Sequence, residues 1–140
     1  DEREMLKLLY QSMRALASGK ITRELVRYIY ELKTLVVNGE APEVFRCANC
    51  GVDDRSMVFS SKNHGTICEE CVGIAPDGIP VSKATLYTLQ YIVSSTIEKL
   101  YTFTVSEEVL GELKNVMKQY TNIQFEKRFK SLEILEMCLE

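Results

Sequence analysis

At 140 residues the chain has room for one domain of ordinary size, and a hydrophobic fraction of 46% is enough to fill a core. A formal charge of -3, from 17 basic and 20 acidic residues, excludes a polycation, so any nucleic-acid contact has to come from a local patch. No run of roughly eighteen or more uncharged apolar residues occurs, and Asp1-Glu2-Arg3-Glu4 is unlike a signal peptide, which predicts a cytoplasmic protein with reduced thiols and no membrane partner.

Met5, Leu6, Leu8, Leu9, Met13, Leu16 and Ala17 recur at helical spacing, and Gly19 stands where a left-handed C-terminal cap belongs, so a first helix is predicted over residues 1–18. Thr22 can cap a second helix carrying Leu25, Val26, Ile29, Leu32, Leu35 and Val36 until Asn38-Gly39 ends it. So short a connection predicts two antiparallel helices. Pro42 then forces extended backbone ahead of the first cysteine.

Cys47-Ala48-Asn49-Cys50 and Cys68-Glu69-Glu70-Cys71 are separated by seventeen residues. Each two-residue gap lets both sulfurs turn toward one point, and two such turns supply a tetrahedron of thiolates, the donor set of structural Zn2+. Disulfides or unpaired core thiols are the competing readings. A fifth cysteine outside the quartet, Cys138, argues against a disulfide framework and reads as a small core residue. Met57-Val58-Phe59 and Thr66-Ile67, parted by the turn-forming Ser60 to Gly65, predict a small hairpin between the cysteine pairs. That insert has few apolar residues, so the metal is expected to supply its folding free energy. Four thiolates close the coordination shell, which makes the ion structural. His64 is the chain's one histidine; it offers an alternative ligand, but a hairpin-tip turn residue is the preferred reading.

Val72 to Pro80 is rich in Gly and Pro and reads as loop. Ser82 caps a third predicted helix with Leu86, Leu89, Ile92, Val93, Ile97 and Leu100 on one side, weakened by β-branched residues from Tyr91 to Ile97. Ser106 followed by Glu107-Glu108 starts another, with Val109, Leu110, Leu113, Val116, Met117 and Tyr120 as its stripe; a last segment, Phe125 to Leu139, repeats the pattern through Phe129, Leu132, Ile134, Leu135 and Cys138. The expected fold is therefore all-α: a bundle of about five helices in one domain over 1–140, drawn from 1–38 and 82–139, with a four-cysteine zinc finger at 45–72 inserted and holding the hairpin.

Lys114, Lys118, Lys127, Arg128 and Lys130 form the most basic stretch and are candidate phosphate contacts, weighed against a merely solvated helix face. Lys20, Arg23 and Arg27 are a second, diluted by Glu24 and Glu31. Tyr87 and Tyr101 are candidates to line a groove for a partner peptide. A single histidine, with no Gly-rich phosphate loop, GxSxG or HExxH, predicts a non-enzyme with no small-molecule substrate.

The run Tyr30-Glu31-Leu32-Lys33-Thr34-Leu35, then Gly39, Pro42, Cys47-Ala48-Asn49-Cys50-Gly51, Phe59-Ser60, Gly65, Cys68-Glu69-Glu70-Cys71, Val81-Ser82 and Lys130-Ser131-Leu132 resembles the C-terminal region of the bacterial DNA repair protein RecO. The resemblance covers nearly the whole chain. It implies a helical domain with a four-cysteine zinc finger, normally following an N-terminal OB fold. It also implies a recombination mediator that binds and anneals DNA, partners RecR, receives the acidic, aromatic tail of single-strand-binding protein, and helps RecA replace that protein. Two departures stand out: His64 and Glu126 occupy positions where the family usually has glycine. With no OB fold present the chain looks like a fragment or truncated member, and only weak binding to single- and double-stranded DNA is expected. The alternative from cysteine spacing is a sequence-reading finger of the GATA type, which needs a basic helix after the second pair. A finger of the Arf GTPase-activating class needs an arginine there, and Gly73-Ile74-Ala75-Pro76 has none.

Overall fold

A computed structural model of the chain describes the backbone of residues 2–139 and the side chains of residues 2–124, 137 and 138. Helix α1 (Glu2–Ser18) stops at Gly19, which turns the chain with φ +68°. Thr22 then caps α2 (Arg23–Val37), its hydroxyl accepting from the Leu25 N–H at 3.2 Å. Ser82 caps α3 (Lys83–Ser94) through the Thr85 N–H, and the Ser106 hydroxyl accepts from the Val109 N–H at the start of α4 (Glu107–Leu139). Leu25, Val26, Ile29, Leu32 and Leu35 of α2 meet Leu89 and Ile92 of α3 and Leu113, Val116, Met117 and Tyr120 of α4 in the main core.

Strands β1 (Met57–Ser60) and β2 (Gly65–Cys68) form the hairpin, and β3 (Ile79–Val81) adds to the other edge, giving the order β2-β1-β3, all antiparallel. The all-α expectation of about five helices and a lone hairpin is therefore overturned: the described residues form four α-helices and a three-stranded antiparallel sheet. Two local causes account for it. Residues Thr121 to Gln124 contain neither Gly nor Pro, so nothing breaks the backbone where two helices were expected; α4 runs on for 33 residues, with the Thr121 hydroxyl bonded back to the Met117 carbonyl at 2.6 Å. Pro80 lies on an edge strand, opposite Val58, where a missing N–H costs no ladder bond, so the stretch read as loop pairs instead.

The third helix ends earlier than its apolar stripe. Ser94 turns its hydroxyl back to the Gln90 carbonyl, Ser95 takes extended backbone (φ -76°, ψ 155°), and Ile97 and Leu100 reach the core from a single 3-10 turn, Ile97–Lys99. Helix α1 faces the core with Leu8, Ser12 and Ala15, leaving Leu6, Leu9, Met13 and Leu16 outside. Tyr101 is not a free groove wall: its hydroxyl pairs with that of Ser12. Cys138 is exposed rather than packed. The side chains of Phe129, Leu132, Ile134 and Leu135 lie outside the described residues. Among the described residues no helix is long and apolar enough to cross a membrane.

Candidate metal centre

The first knuckle forms because the Cys47 carbonyl accepts from the Gly51 N–H at 2.9 Å, a closure that puts Gly51 at φ +82°. The second closes between the Cys71 N–H and the Cys68 carbonyl at 3.0 Å. Backbone bonds then bring the knuckles together. Ala48 N–H donates to the Thr66 carbonyl on β2, and Glu69 N–H donates to the Ser56 carbonyl just ahead of β1. The sheet thus holds both knuckles at one end.

The Sγ atoms of Cys47, Cys50, Cys68 and Cys71 all lie within 4.8 Å of one another. Thiolates at the usual zinc distance of ~2.3 Å stand about 3.8 Å apart along the edges of a tetrahedron. Cys50 Sγ and Cys68 Sγ are 3.7 Å apart, and all four cysteines are free thiols. The donor set and its spacing fit a four-thiolate zinc ion, with no position left for water. Such an ion would cross-link the two knuckles. Cys47 and Cys68 face the finger's interior, Cys71 is half-buried and Cys50 is exposed.

The surroundings favour anionic sulfur. Burial pushes the Cys47 thiol up, but N–H groups of Cys50, Cys68 and Asn49 donate toward its sulfur and bring it down to about 6. Cys68 is likewise pushed up by burial and carried down by bonds from Cys71 and the Glu70 N–H. At Cys71 the Asn49 amide, 3.3 Å from the sulfur, lowers the thiol, while the sulfurs of Cys68, Cys50 and Cys47 and burial raise it to about 11. Four neighbouring sulfurs do not all ionise without a cation to share. Arg55 reaches the Cys68 sulfur, which holds the guanidinium protonated, and pairs with Glu70 at 2.6 Å. Arg55 and Asn49 were not legible as part of the site: Asn49 sits inside the motif without distinguishing spacing, and Arg55 is carried there by the turn before β1.

His64 is not in the sulfur cluster. It sits at the turn after β1 with φ +58°, its N–H donating to the Ser61 carbonyl and its own carbonyl accepting from Glu43. That left-handed backbone is the physical reason glycine suits the position. Past Cys71 the chain makes one 3-10 turn, Val72–Ile74, and enters β3, so no basic helix follows the second pair.

Two contacts fix the finger to the helices. The Glu43 backbone lies so close to Gly65 that a Cβ there would collide with the Glu43 carbonyl oxygen and stand 2.8 Å from its nitrogen. Both atoms belong to the strap leading into Cys47, and Thr66 N–H donates to that same carbonyl. Gly65→Ala is expected to cost about 1–3 kcal/mol in chemical denaturation, since backbone cannot move aside cheaply.

Asp77 is the second. Its carboxylate accepts from the Ser60 hydroxyl at 2.8 Å and the Lys62 N–H at 3.0 Å, while its carbonyl accepts from Gln119 on α4, which also receives the Ser61 hydroxyl. Burial pushes the carboxyl up, but the bonds from Lys62 and Ser60 outweigh it and leave the folded value below 3.8. A depressed carboxylate stabilises the fold above its unfolded pKa and loses that contribution as pH falls through the folded value. Asp77→Asn is expected to cost about 1 kcal/mol at neutral pH, and the gap to the parent chain in urea titrations should close below about pH 4.

The basic candidates divide. Lys114 and Lys118 are exposed one turn apart on α4, and Lys118 joins Asn115, Gln119, Asn122 and Ile79 around a shallow groove of about 430 Å³. The side chains of Lys127, Arg128 and Lys130 lie outside the described residues, though their backbone continues α4. Arg27 is paired with Glu31 at 2.9 Å, and Arg23 lines a groove beside α1. Tyr87 is exposed above a cleft with Tyr91 and Phe103.

The family model described as "Recombination protein O C terminal" matches residues 1–133. The chain belongs to the RecO C-terminal family. Among RecO relatives, the DNA repair protein RecO of Acetivibrio thermocellus is 33% identical over 135 residues, which are 94% of this chain and 53% of that protein. The RecO of Alkaliphilus metalliredigens is 29% identical over 132 residues, 93% of this chain and 54% of that one. That of Roseiflexus sp. is 26% identical over 138 residues, 97% and 48%. The chain spans about half the length of these RecO proteins.

Proposed function

We propose that this chain is a zinc-organised, non-catalytic module of the DNA repair and recombination machinery, in which residues 1–140 act as one unit with the finger at 45–72 docked on the helices. The family match over residues 1–133 carries the reading, and the sulfur cluster supports the zinc. Cys47, Cys50, Cys68 and Cys71 hold the ion; its closed shell serves folding and offers no site for substrate. Lys114 and Lys118 contact phosphate, Lys127, Arg128 and Lys130 are further candidates later in the sequence, and RecR and the tail of single-strand-binding protein are the protein partners that RecO resemblance brings.

The test has two arms. Metal analysis should find one zinc per chain. Fluorescence anisotropy with single- and double-stranded DNA should show binding that weakens steeply with salt, and Lys114→Glu with Lys118→Glu should flatten the slope of log K against log salt by about 1–2 without sequence preference. A zinc-free folded chain, or one that binds neither DNA nor the two proteins at micromolar concentration, overturns the proposal.

A further inference from the structure

Three sulfurs of the cluster accept hydrogen bonds from nitrogen and the fourth does not. Cys47 Sγ takes the Cys68 N–H at 3.3 Å, Cys71 Sγ takes the Asn49 amide at 3.3 Å, and Arg55 reaches the Cys68 sulfur. Among the described residues no N–H points at Cys50 Sγ; its neighbours are the other sulfurs, with Cys68 Sγ at 3.7 Å. Exposure divides the set along the same line. Cys47 and Cys68 are buried and Cys71 is half-buried, whereas Cys50 is exposed.

A hydrogen bond to a thiolate draws off the electron density with which it attacks, and burial keeps reagents away. Both effects shield Cys47, Cys68 and Cys71. Neither shields Cys50, so a dissolved oxidant meets one bare sulfur with a second, buried one directly behind it. That arrangement suits a small two-electron oxidant, a hydroperoxide: the exposed sulfur takes the oxygen and the buried sulfur displaces it.

We propose that Cys50 is an oxidation site for hydroperoxides, and that its product is a Cys50–Cys68 disulfide that takes over from the zinc ion as the link between the two knuckles. The inference rests on the four-thiolate zinc reading above. With hydrogen peroxide, the Cys50 thiolate attacks one oxygen; the S–O bond forms, the O–O bond breaks and hydroxide leaves. The Cys68 thiolate then attacks Cys50 Sγ; the S–S bond forms, the S–O bond breaks and a second hydroxide leaves. Each sulfur loses one electron and the peroxide ends as two hydroxides. Cys47 and Cys71 alone do not complete a tetrahedral shell, so the metal is released. The disulfide closes the hairpin covalently between residues 50 and 68, which constrains the unfolded finger. The oxidised finger therefore stays ordered without metal, whereas a chain lacking Cys68 loses metal and cross-link together.

The test uses the zinc-loaded chain with Cys138→Ser, which removes the exposed fifth thiol. Its zinc is measured first, then hydrogen peroxide is added in the presence of a chromogenic chelator. Zinc release should match disulfide formation one for one, and non-reducing peptide mapping should join the peptides that carry Cys50 and Cys68. Limited proteolysis should leave the oxidised finger uncut, and dithiothreitol with added zinc should restore the starting state. Cys50→Ser should slow release roughly tenfold. If that variant takes up no zinc, brief alkylation of the loaded parent with iodoacetamide asks the same question, and Cys50 should be labelled first. A chain without zinc at the outset defeats the zinc reading and the exchange with it. A chain that holds zinc but keeps it under peroxide, joins Cys47 to Cys50 or Cys68 to Cys71, is cleaved in the oxidised finger, or is alkylated first at another cysteine overturns the exchange alone.

Discussion

Cys68→Ser is expected to abolish binding of the proposed zinc ion and unfold the segment from 45 to 72 while the four helices stay packed. Two buried clusters explain why the damage stays local. Around the cysteines the buried residues are Cys47, Met57, Ile67, Cys68 and Ala75, so three apolar side chains besides two ligands make up that core. At about 1.5–3 kcal/mol for each large side chain, they fall short of ordering a segment of this length. A structural four-cysteine ion supplies on the order of 10 kcal/mol. Among the described residues the helices share a cluster several times larger, which does not depend on the sulfurs. Cys68 is the most consequential of the four because it also closes the sheet opposite Met57 and donates its N–H to Cys47 Sγ at 3.3 Å. Cys50→Ser, at an exposed position, should be milder. Zinc content should fall below about a tenth of one equivalent. Limited proteolysis should then cut inside the finger while most far-ultraviolet ellipticity remains. A variant that kept its zinc and resisted cleavage would show that the sulfurs are not what organises the finger. Phe59, edge-on to Tyr120 at 5.5 Å, is the point where finger melting should be felt by α4.

Lys33→Met should be the most damaging change in the helical body that leaves its hydrocarbon packing nearly intact. Lys33 on α2 is 6% exposed, and its ammonium donates to the carbonyls of Ile92 and Val93 at 3.1 Å and Ser95 at 2.7 Å. These are carbonyls at the end of α3, where helical bonding runs out and the dipole is negative. Burial pushes the ammonium's pKa down and Glu4 pulls it up. Three charge-assisted bonds set against that desolvation leave a net loss on removal of about 2–4 kcal/mol. Methionine keeps the stem and removes the donors, so a lower urea midpoint with unchanged m-value isolates the capping role. A loss under ~0.5 kcal/mol would mean that water caps α3 as well as Lys33 does.

Lys33 also marks where legibility ended. In the sequence it is one lysine in a helical repeat, and its partners lie 59 to 62 residues away. Signals acting over three or four residues were readable: Thr22, Ser82 and Ser106 as caps, Gly19 and Gly39 as helix stops with positive φ, and the hairpin from Met57 to Cys68. The cysteine quartet was readable for the same reason, because two-residue gaps constrain sulfur direction within each knuckle. Two errors share another cause. The β3 strand exists because β1 offers it an edge, and α4 is continuous because no residue from 121 to 124 forbids it, neither of which apolar periodicity reports.

Alone, then, the amino-acid order determined where α1 and α2 begin and stop, that four thiols in two close pairs could converge, and which family the chain resembles, since each depends on chemistry between near neighbours. Only the tertiary structure decided which of the two apolar sides of α1 is buried, which lysine seals the end of α3, and that Arg55 sits against the sulfurs. Those outcomes depend on which distant surface arrives first to exclude water, and a periodic stripe carries no address for its partner.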